Sequence, residues 1–140
     1  EPWFDSVEGM LSHMMFSIPA VKGIEFGAGF DIADMKGSIA NDPLKMENGK
    51  VISTSNNNGG INGGITNGMP IIFRTAIKPT PTIFKQQDTI DFRSMSDAVL
   101  VPKGRHDPTI VHRARVVQDA ATALVLCDAL ALRYGTDWLK

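Results

Sequence analysis

Hydrophobic positions recur at helical spacing in two segments, one near each end of the chain. The first segment predicts an amphipathic helix over residues 3–16. Its apolar positions are Phe4, Val7, Leu11, Met14 and Met15. The second segment, residues 113–134, is apolar on most sides and predicts a largely buried helix. Gly135 is typical of a helix end, and Arg133 suits the negative carboxy-terminal end of a helix dipole.

Between these helices the pattern predicts short strands and turns. Three segments predict strands: residues 20–27, 69–78 and 88–92. Pro19 separates the first strand from the first helix, and the segment from Gly29 predicts a short helix that ends at Gly37. Asn48-Gly49 predicts a hairpin turn. Strands mixed with helices, without regular alternation, favour an α+β fold.

Composition sets the broad class. The chain has 140 residues, of which 43% are hydrophobic and 21% charged, which is typical of one globular domain over residues 1–140. The net charge of -1 argues against a nucleic-acid partner. No apolar run reaches the length of a membrane span, because Gln118, Asp119 and Asp128 interrupt the longest one. We therefore expect neither nucleic acid nor membrane as a partner.

Charge is distributed unevenly along the chain. Residues 1–50 carry four Lys/Arg against eight Asp/Glu, a net -4, and residues 51–140 carry ten against seven, a net +3. Either the basic part faces an anion or the asymmetry arises by chance.

The single cysteine, Cys127, excludes an internal disulfide framework and the Cys-rich zinc patterns. Its apolar surroundings predict a small buried hydrophobe. A reducing compartment fits this cysteine usage, so we expect a cytoplasmic protein. The first residues read as mid-domain sequence, which predicts that the chain is a fragment of a longer protein.

The segment "SNNNGGINGGITNG", residues 55–68, holds five asparagines and five glycines. Glycine permits positive φ and lets a backbone or ligand approach closely, and asparagine hydrogen-bonds its own backbone. Two interpretations stay open. One is a crowded turn with close backbone packing. The other is a surface that offers backbone N–H groups to an anion or packs flat against a ring, with the glycine pairs stacked on one helix face.

Two further segments contain residues that could bind phosphate or exchange a proton. In "IKPTPT", residues 77–82, Lys78 lies where a strand gives way to a rigid extended segment, so it is a candidate phosphate contact or an ordinary strand exit. In "KGRHDP", residues 103–108, Arg105 can bind a phosphate and Asp107 can exchange a proton. The alternative is a capped helix start with solvated charges, in which Pro108 fits the first turn.

The His106-Asp107 pair also raises the hypothesis of a metal phosphohydrolase. That hypothesis needs further ligands, and the other two histidines, His13 and His112, lie in unrelated contexts. We therefore predict no metal site.

In their order along the chain these segments resemble the chorismate synthase family. The matching stretches are "SIPAVKGIEFGAGF", "SNNNGGINGGITNGMPI", "AIKPTPTI" and "GRHDPTIVHRA" with the helix that follows. The resemblance is to the carboxy-terminal part of the family. The amino-terminal part, which in the family supplies two catalytic histidines, lies outside these 140 residues.

The resemblance implies a fold and an activity. The expected fold is a β-α-β sandwich, with helices between antiparallel sheets, of which this chain is the carboxy-terminal portion. The expected activity is a phosphate lyase that forms chorismate and phosphate from 5-enolpyruvylshikimate 3-phosphate by 1,4-anti elimination with reduced FMN. The expected assembly is a homotetramer of the longer chain, in the shikimate pathway of aromatic amino acid biosynthesis.

The resemblance also implies site residues. The positions that match FMN contacts are Pro19, Ala20, Gly63, Lys78, Pro79, Thr80, Pro81, Thr82 and Arg105. Asp107 matches a proposed proton acceptor near the flavin, and His112 stands where the family often has proline. The implied pocket would gather Gly63, Lys78 and Arg105 around one isoalloxazine ring. The alternative is a non-catalytic fragment that only self-associates or binds flavin.

Overall fold

A computed structural model describes residues 2–137 of the chain. Its helices are α1 (Val7–Ser17), a 3-10 helix (Gly29–Asp34), α2 (Gly37–Ala40) and α3 (Val111–Tyr134). Its strands are β1 (Val21–Phe26), β2 (Leu44–Glu47), β3 (Lys50–Ser53), β4 (Ile61–Asn62), β5 (Ile65–Thr66), β6 (Phe73–Ile77), β7 (Gln87–Asp91) and β8 (Ser96–Leu100). The predicted α+β class is confirmed.

Within residues 2–137 the strands form four two-stranded antiparallel sheets, β1–β6, β2–β3, β4–β5 and β7–β8. Only β1–β6 joins strands distant in sequence, with Val21 opposite Ile77 and Phe26 opposite Phe73. The rings of Phe26 and Phe73 lie 5.9 Å apart, a cross-strand aromatic contact that supports this register. The other three sheets are local hairpins.

The core lies where α1 and α3 cover one face of the β1–β6 sheet. Met15, Ile18, Val21 and Ala121 are buried together, and partly buried residues of both strands pack against them. Gln118 Nε2 of α3 donates to Thr75 Oγ1 of β6 over 2.7 Å, so α3 is tied to the sheet as well as to α1. The buried methionine fits the use of methionine as a core filler.

Local signals explain where α1 begins and where the chain turns between β2 and β3. Helix α1 starts at Val7, four residues later than predicted, because the Ser6 side chain accepts from Gly9 N at 2.9 Å and caps the helix there. The Asn48-Gly49 hairpin between β2 and β3 is confirmed. The short helix predicted to end at Gly37 is a 3-10 helix that ends at Asp34, and Gly37 begins α2.

Two predictions about α3 are wrong. The helix starts at Val111, two residues before the predicted start, and ends at Tyr134 as predicted, with Gly135 after it, but only Ala121 and Val125 are buried in it. The opposite face is exposed and forms what we call the outer stripe: Val116, Ala120, Ala123, Cys127, Leu130 and Tyr134. Cys127 is therefore exposed and not a buried hydrophobe. Both faces of an apolar helix are buried only when protein packs against each of them. The described residues cover one face of α3 and leave the other exposed.

Candidate functional site

The Asn/Gly segment is a loop anchored by a carboxylate, not a helix. Asp42 accepts hydrogen bonds from Ser55 Oγ at 2.7 Å, from the backbone N–H of Asn57 at 2.8 Å and from that of Asn58 at 2.9 Å. The Asn58 side chain adds a fourth, at 2.7 Å. Burial alone would raise the pKa of Asp42, but these hydrogen bonds outweigh it and lower the pKa to about 2.

The asparagine side chains of this loop satisfy backbone groups. Asn56 Oδ1 accepts from Gly60 N at 2.7 Å, and its Nδ2 donates to the Pro70 carbonyl at 2.8 Å. Asn57 Nδ2 donates to the carbonyls of Ile39 and Ala40. At these positions asparagine stabilises the loop, because its side chain hydrogen-bonds backbone groups that no neighbouring strand pairs.

Gly59 provides a close backbone approach. A Cβ at Gly59 would lie 2.4 Å from the backbone nitrogen of Gly27 and 2.7 Å from the Ile72 carbonyl oxygen. The carbonyl of Gly59 accepts from Ile72 N at 3.1 Å, so this contact aligns the loop with the entrance to β6. The crowded-turn interpretation is confirmed for this part of the segment.

The second glycine pair has a different position. Gly63 and Gly64, with φ of 58° and 83°, form the turn of the β4–β5 hairpin, and Gly63 is exposed. The Gly64 carbonyl accepts from Val7 N at 2.9 Å, which is the first residue of α1. Gly63 therefore lies at the amino-terminal end of α1.

Pro19 and Ala20 lie at the other end of α1, beside Lys78. The Lys78 N–H donates to the Ala20 carbonyl at 2.7 Å, just beyond the β1–β6 ladder. Ala20 has φ of 72°, a left-handed conformation unusual for a residue with a Cβ. The Lys78 side chain is exposed and forms no ion pair with a described residue.

The segment after β6 is extended, as its prolines predict. Gln87 Nε2 donates to the Pro81 carbonyl at 3.2 Å, which ties the segment to the first residue of β7. Thr80 Oγ1 is buried and has no hydrogen-bond partner among residues 2–137. Farther along, the ring of Phe84 lies 5.4 Å from that of His106, and this contact connects the Lys78–Phe84 segment to the "GRHDP" segment.

In the "GRHDP" segment the three consecutive polar residues have three different environments. Arg105 is exposed and pairs with no described residue. His106 is partly buried, and its Nε2 lacks a partner within the described chain. Asp107 forms a two-point pair with Arg113, with Oδ1 to Nη2 and Oδ2 to Nη1 both 2.9 Å. The hydrogen bond and the charge of Asp107 raise the pKa of Arg113.

Helix α3 begins at Val111, so Pro108 precedes the helix and does not occupy its first turn. The Asp107–Arg113 pair connects the segment to that first turn instead.

Contacts thus connect the segments that carry the candidate residues, with the exception of Gly63. Pro19 and Ala20 meet Lys78 through a backbone hydrogen bond, and Phe84 joins the Lys78 segment to that of Arg105. Gly63 lies at the far end of α1, whose 11 residues span about 16 Å. A ligand that contacts Gly63 and Lys78 together must therefore be elongated.

Two cavities of the described chain lie elsewhere. One, of about 420 Å³, is bordered by the Asp42-anchored loop and the β2–β3 hairpin, and the other, of about 570 Å³, lies between α1 and α3. None of the residues matched to FMN contacts borders either cavity.

Sequence reasoning missed Asp42 and Phe84. Asp42 precedes Pro43 in a polar stretch and gives no periodic signal, because its partners are 13 to 16 residues away. Phe84 ends an apolar run, and only the packing of two loops reveals its contact with His106.

Two negative findings apply to residues 2–137. They contain no group of three or more His, Cys, Asp or Glu side chains placed to hold a metal ion. None of their helices is long and apolar enough to cross a membrane.

The family model that matches this chain and the relatives that resemble it carry the same family name. A family model described as chorismate synthase matches residues 1–131. The chain is 50% identical over 135 residues to the chorismate synthase of Dehalococcoides mccartyi, and 51% identical over 135 residues to that of Methanosarcina mazei. Each match covers 96% of this chain and 37% of the relative.

A solved structure gives the same result for the fold. The structure titled "Crystal Structure of Chorismate Synthase" superposes with a TM-score of 0.73 and 37% sequence identity, over 96% of this chain and 33% of the solved one. The 140 residues thus span a little over one third of the length of their curated relatives. With the family matched over nearly the whole chain in both sequence and fold, this chain belongs to the chorismate synthase family.

Proposed function

We propose that this chain is the carboxy-terminal part of a phosphate lyase that converts 5-enolpyruvylshikimate 3-phosphate to chorismate and phosphate. The family match over residues 1–131, with relatives of that name at about 50% identity, carries the proposal. We also propose that the complete protein is a cytoplasmic homotetramer of the shikimate pathway.

The described residues fit an anionic, partly aromatic cofactor such as reduced FMN. Lys78 and Arg105 are exposed cations without an ion-pair partner in the described chain, which leaves both free to bind phosphate. Thr80 Oγ1 and His106 Nε2 are buried polar atoms that no described residue satisfies, as expected where a ligand supplies the missing partner. When bound, reduced FMN supplies electron density as the allylic phosphate leaves.

The remaining contributions belong to the side chains of the protein. Lys78, with the segment through Thr82, and Arg105 would hold phosphate groups and orient the ligand. Asp107 would accept the proton lost from the ring carbon. The two-point pair with Arg113 fixes the orientation of this carboxylate. Gly63 would offer a side-chain-free contact at the far end of an elongated ligand.

Flavin titration of the full-length protein that contains this chain tests the proposal. Arg105→Ala and Lys78→Ala should each weaken FMN binding by about tenfold or more, because each removes a charge-assisted hydrogen bond of roughly 1.5–3 kcal/mol. Lys50→Ala, an exposed lysine of the β2–β3 hairpin, is the matched control. A full-length protein that binds no FMN and releases no phosphate from the substrate would contradict the proposal.

The 140-residue chain alone should show no lyase turnover. In the family the two catalytic histidines come from the amino-terminal part, which these residues do not include. Chorismate formation by the purified 140-residue chain, followed by its absorbance, would show that residues 1–140 are sufficient for catalysis and would refute this expectation.

A further inference from the structure

We propose that His106 is a further cofactor-binding residue, whose Nε2 forms a hydrogen bond to the bound flavin. The inference rests on the proposed function and adds a residue to its site. The family resemblance gives no role to His106, and the two histidines that the family uses in catalysis lie outside this chain.

The first observation is an unsatisfied atom. Nε2 of His106 is buried, and no described residue hydrogen-bonds it. An imidazole nitrogen is always a donor or an acceptor, and buried polar atoms in native proteins are almost always paired. The partner of Nε2 must therefore come from outside residues 2–137.

The second observation is where this atom lies. His106 stands between Arg105 and Asp107, which are the candidate phosphate contact and the candidate proton acceptor. Its ring contacts Phe84 of the segment that carries Thr80, and Thr80 Oγ1 is the other buried side-chain atom left unpaired in the described chain. One ligand held between the two segments would satisfy both atoms.

The third observation is that a ring contact and the neighbouring residues restrict the position of the imidazole. Phe84 packs on it, with ring centroids 5.4 Å apart and planes tilted by 53°. Asp107, the next residue, is fixed to α3 by its two-point pair with Arg113. A Cβ on Gly104 would lie 4.0 Å from Nε2, so the backbone also borders this nitrogen. A ring placed in advance loses little freedom on binding, which favours affinity.

The dissociation constant of FMN in the full-length protein, from quenching of flavin fluorescence, tests the assignment. His106→Phe keeps a ring against Phe84 but removes the nitrogen, so the constant should rise about tenfold, the effect of one buried hydrogen bond. His106→Gln places an amide nitrogen near the position of Nε2 and should stay within about threefold of wild type. His13→Phe, an exposed histidine on α1, should bind as wild type does.

The outcomes separate this inference from the proposed function. If wild type binds FMN and His106→Phe binds it within twofold, the inference is wrong and the partner of Nε2 is not the flavin. If Gln fails to rescue and binds as weakly as Phe, the role is packing and the inference is again wrong. Thermal unfolding of each variant shows whether a weaker affinity reflects lost folding, and a wild type that binds no FMN refutes the proposed function itself.

Discussion

Gly59 and Gly27 approach each other more closely than side chains allow, which makes Gly59 the most constrained residue of the Asn/Gly loop. Gly59→Ala would place a Cβ 2.4 Å from the Gly27 nitrogen at a φ of 63°. We expect a loss of about 3 kcal/mol or more in the free energy of unfolding, from overpacking added to left-handed strain.

Gly68→Ala is the matched control, because Gly68 also has positive φ, of 88°, but open space around it. It should cost only the conformational strain, about 1–2 kcal/mol. Equal losses in chemical denaturation of the two variants would mean that the close approach does not constrain the loop.

Asp42 acts on the same loop through charge. Its pKa of about 2 lies below the ordinary 3.8, so its stabilisation is complete above the ordinary value and is lost as pH falls from 3.8 towards 2. Asp42→Asn turns an amide towards backbone N–H donors and should lower the free energy of unfolding by about 1 kcal/mol at neutral pH, because solvent screens part of the effect of the carboxylate charge.

Unfolding measured from neutral pH to pH 2 tests this prediction. The difference between wild type and Asp42→Asn should shrink through that window, whereas the exposed Asp34→Asn should change little at either end. A difference that stays constant with pH would show that the carboxylate charge does not hold the loop.

Helix α3 illustrates how an element can be predicted while its environment is not. The apolar pattern on most sides gave the correct helix, but Ala121 and Val125 face the core and the outer stripe faces away from it. The sequence of one layer cannot reveal whether another layer covers the second face, because both faces look equally apolar.

The reactivity of the Cys127 thiol measures whether that second face is covered. Since it is the only cysteine and is exposed, a thiol-reactive disulfide reagent should label it in the folded 140-residue chain, at a protein concentration too low for self-association, almost as fast as in the urea-unfolded chain. Strong protection in the folded chain would mean that the outer stripe is covered even without further residues.

For the whole molecule, the uncovered apolar surface predicts self-association of the isolated 140-residue chain. Val116 is 67% exposed and Leu130 is 44% exposed on the outer stripe, and contiguous apolar surface of this kind associates in water. We expect the average mass in sedimentation to rise with concentration, and Val116→Lys with Leu130→Lys to reduce that rise.

Met95→Lys is the control, since Met95 is 77% exposed but lies at the β7–β8 turn, away from the stripe. A chain that stays monomeric at all concentrations, or a control that suppresses association equally, would argue against the stripe as the contact surface.

For the candidate site, the sequence identified the family but did not predict how the loop segments lie relative to one another. The motifs that resemble the family identify it correctly, and the comparisons show the family over residues 1–131. The flavin-contact roles of Lys78, Arg105 and Gly63 stay predictions. Loop segments owe their relative positions to single contacts, such as Ala20 with Lys78 and Phe84 with His106, which no periodic pattern encodes.

The sequence by itself determined the two long helices, the strands β1, β6 and β7, the Asn48-Gly49 hairpin, the extended proline segment and the family, because these depend on local periodicity, turn chemistry and ordered motifs. Tertiary structure alone decided that Asp42 anchors the Asn/Gly loop, that Gly63 and Lys78 lie near opposite ends of α1, and that one face of α3 stays open. Those features arise from contacts between distant residues, whose free energy is set by packing geometry and not by neighbours in the chain.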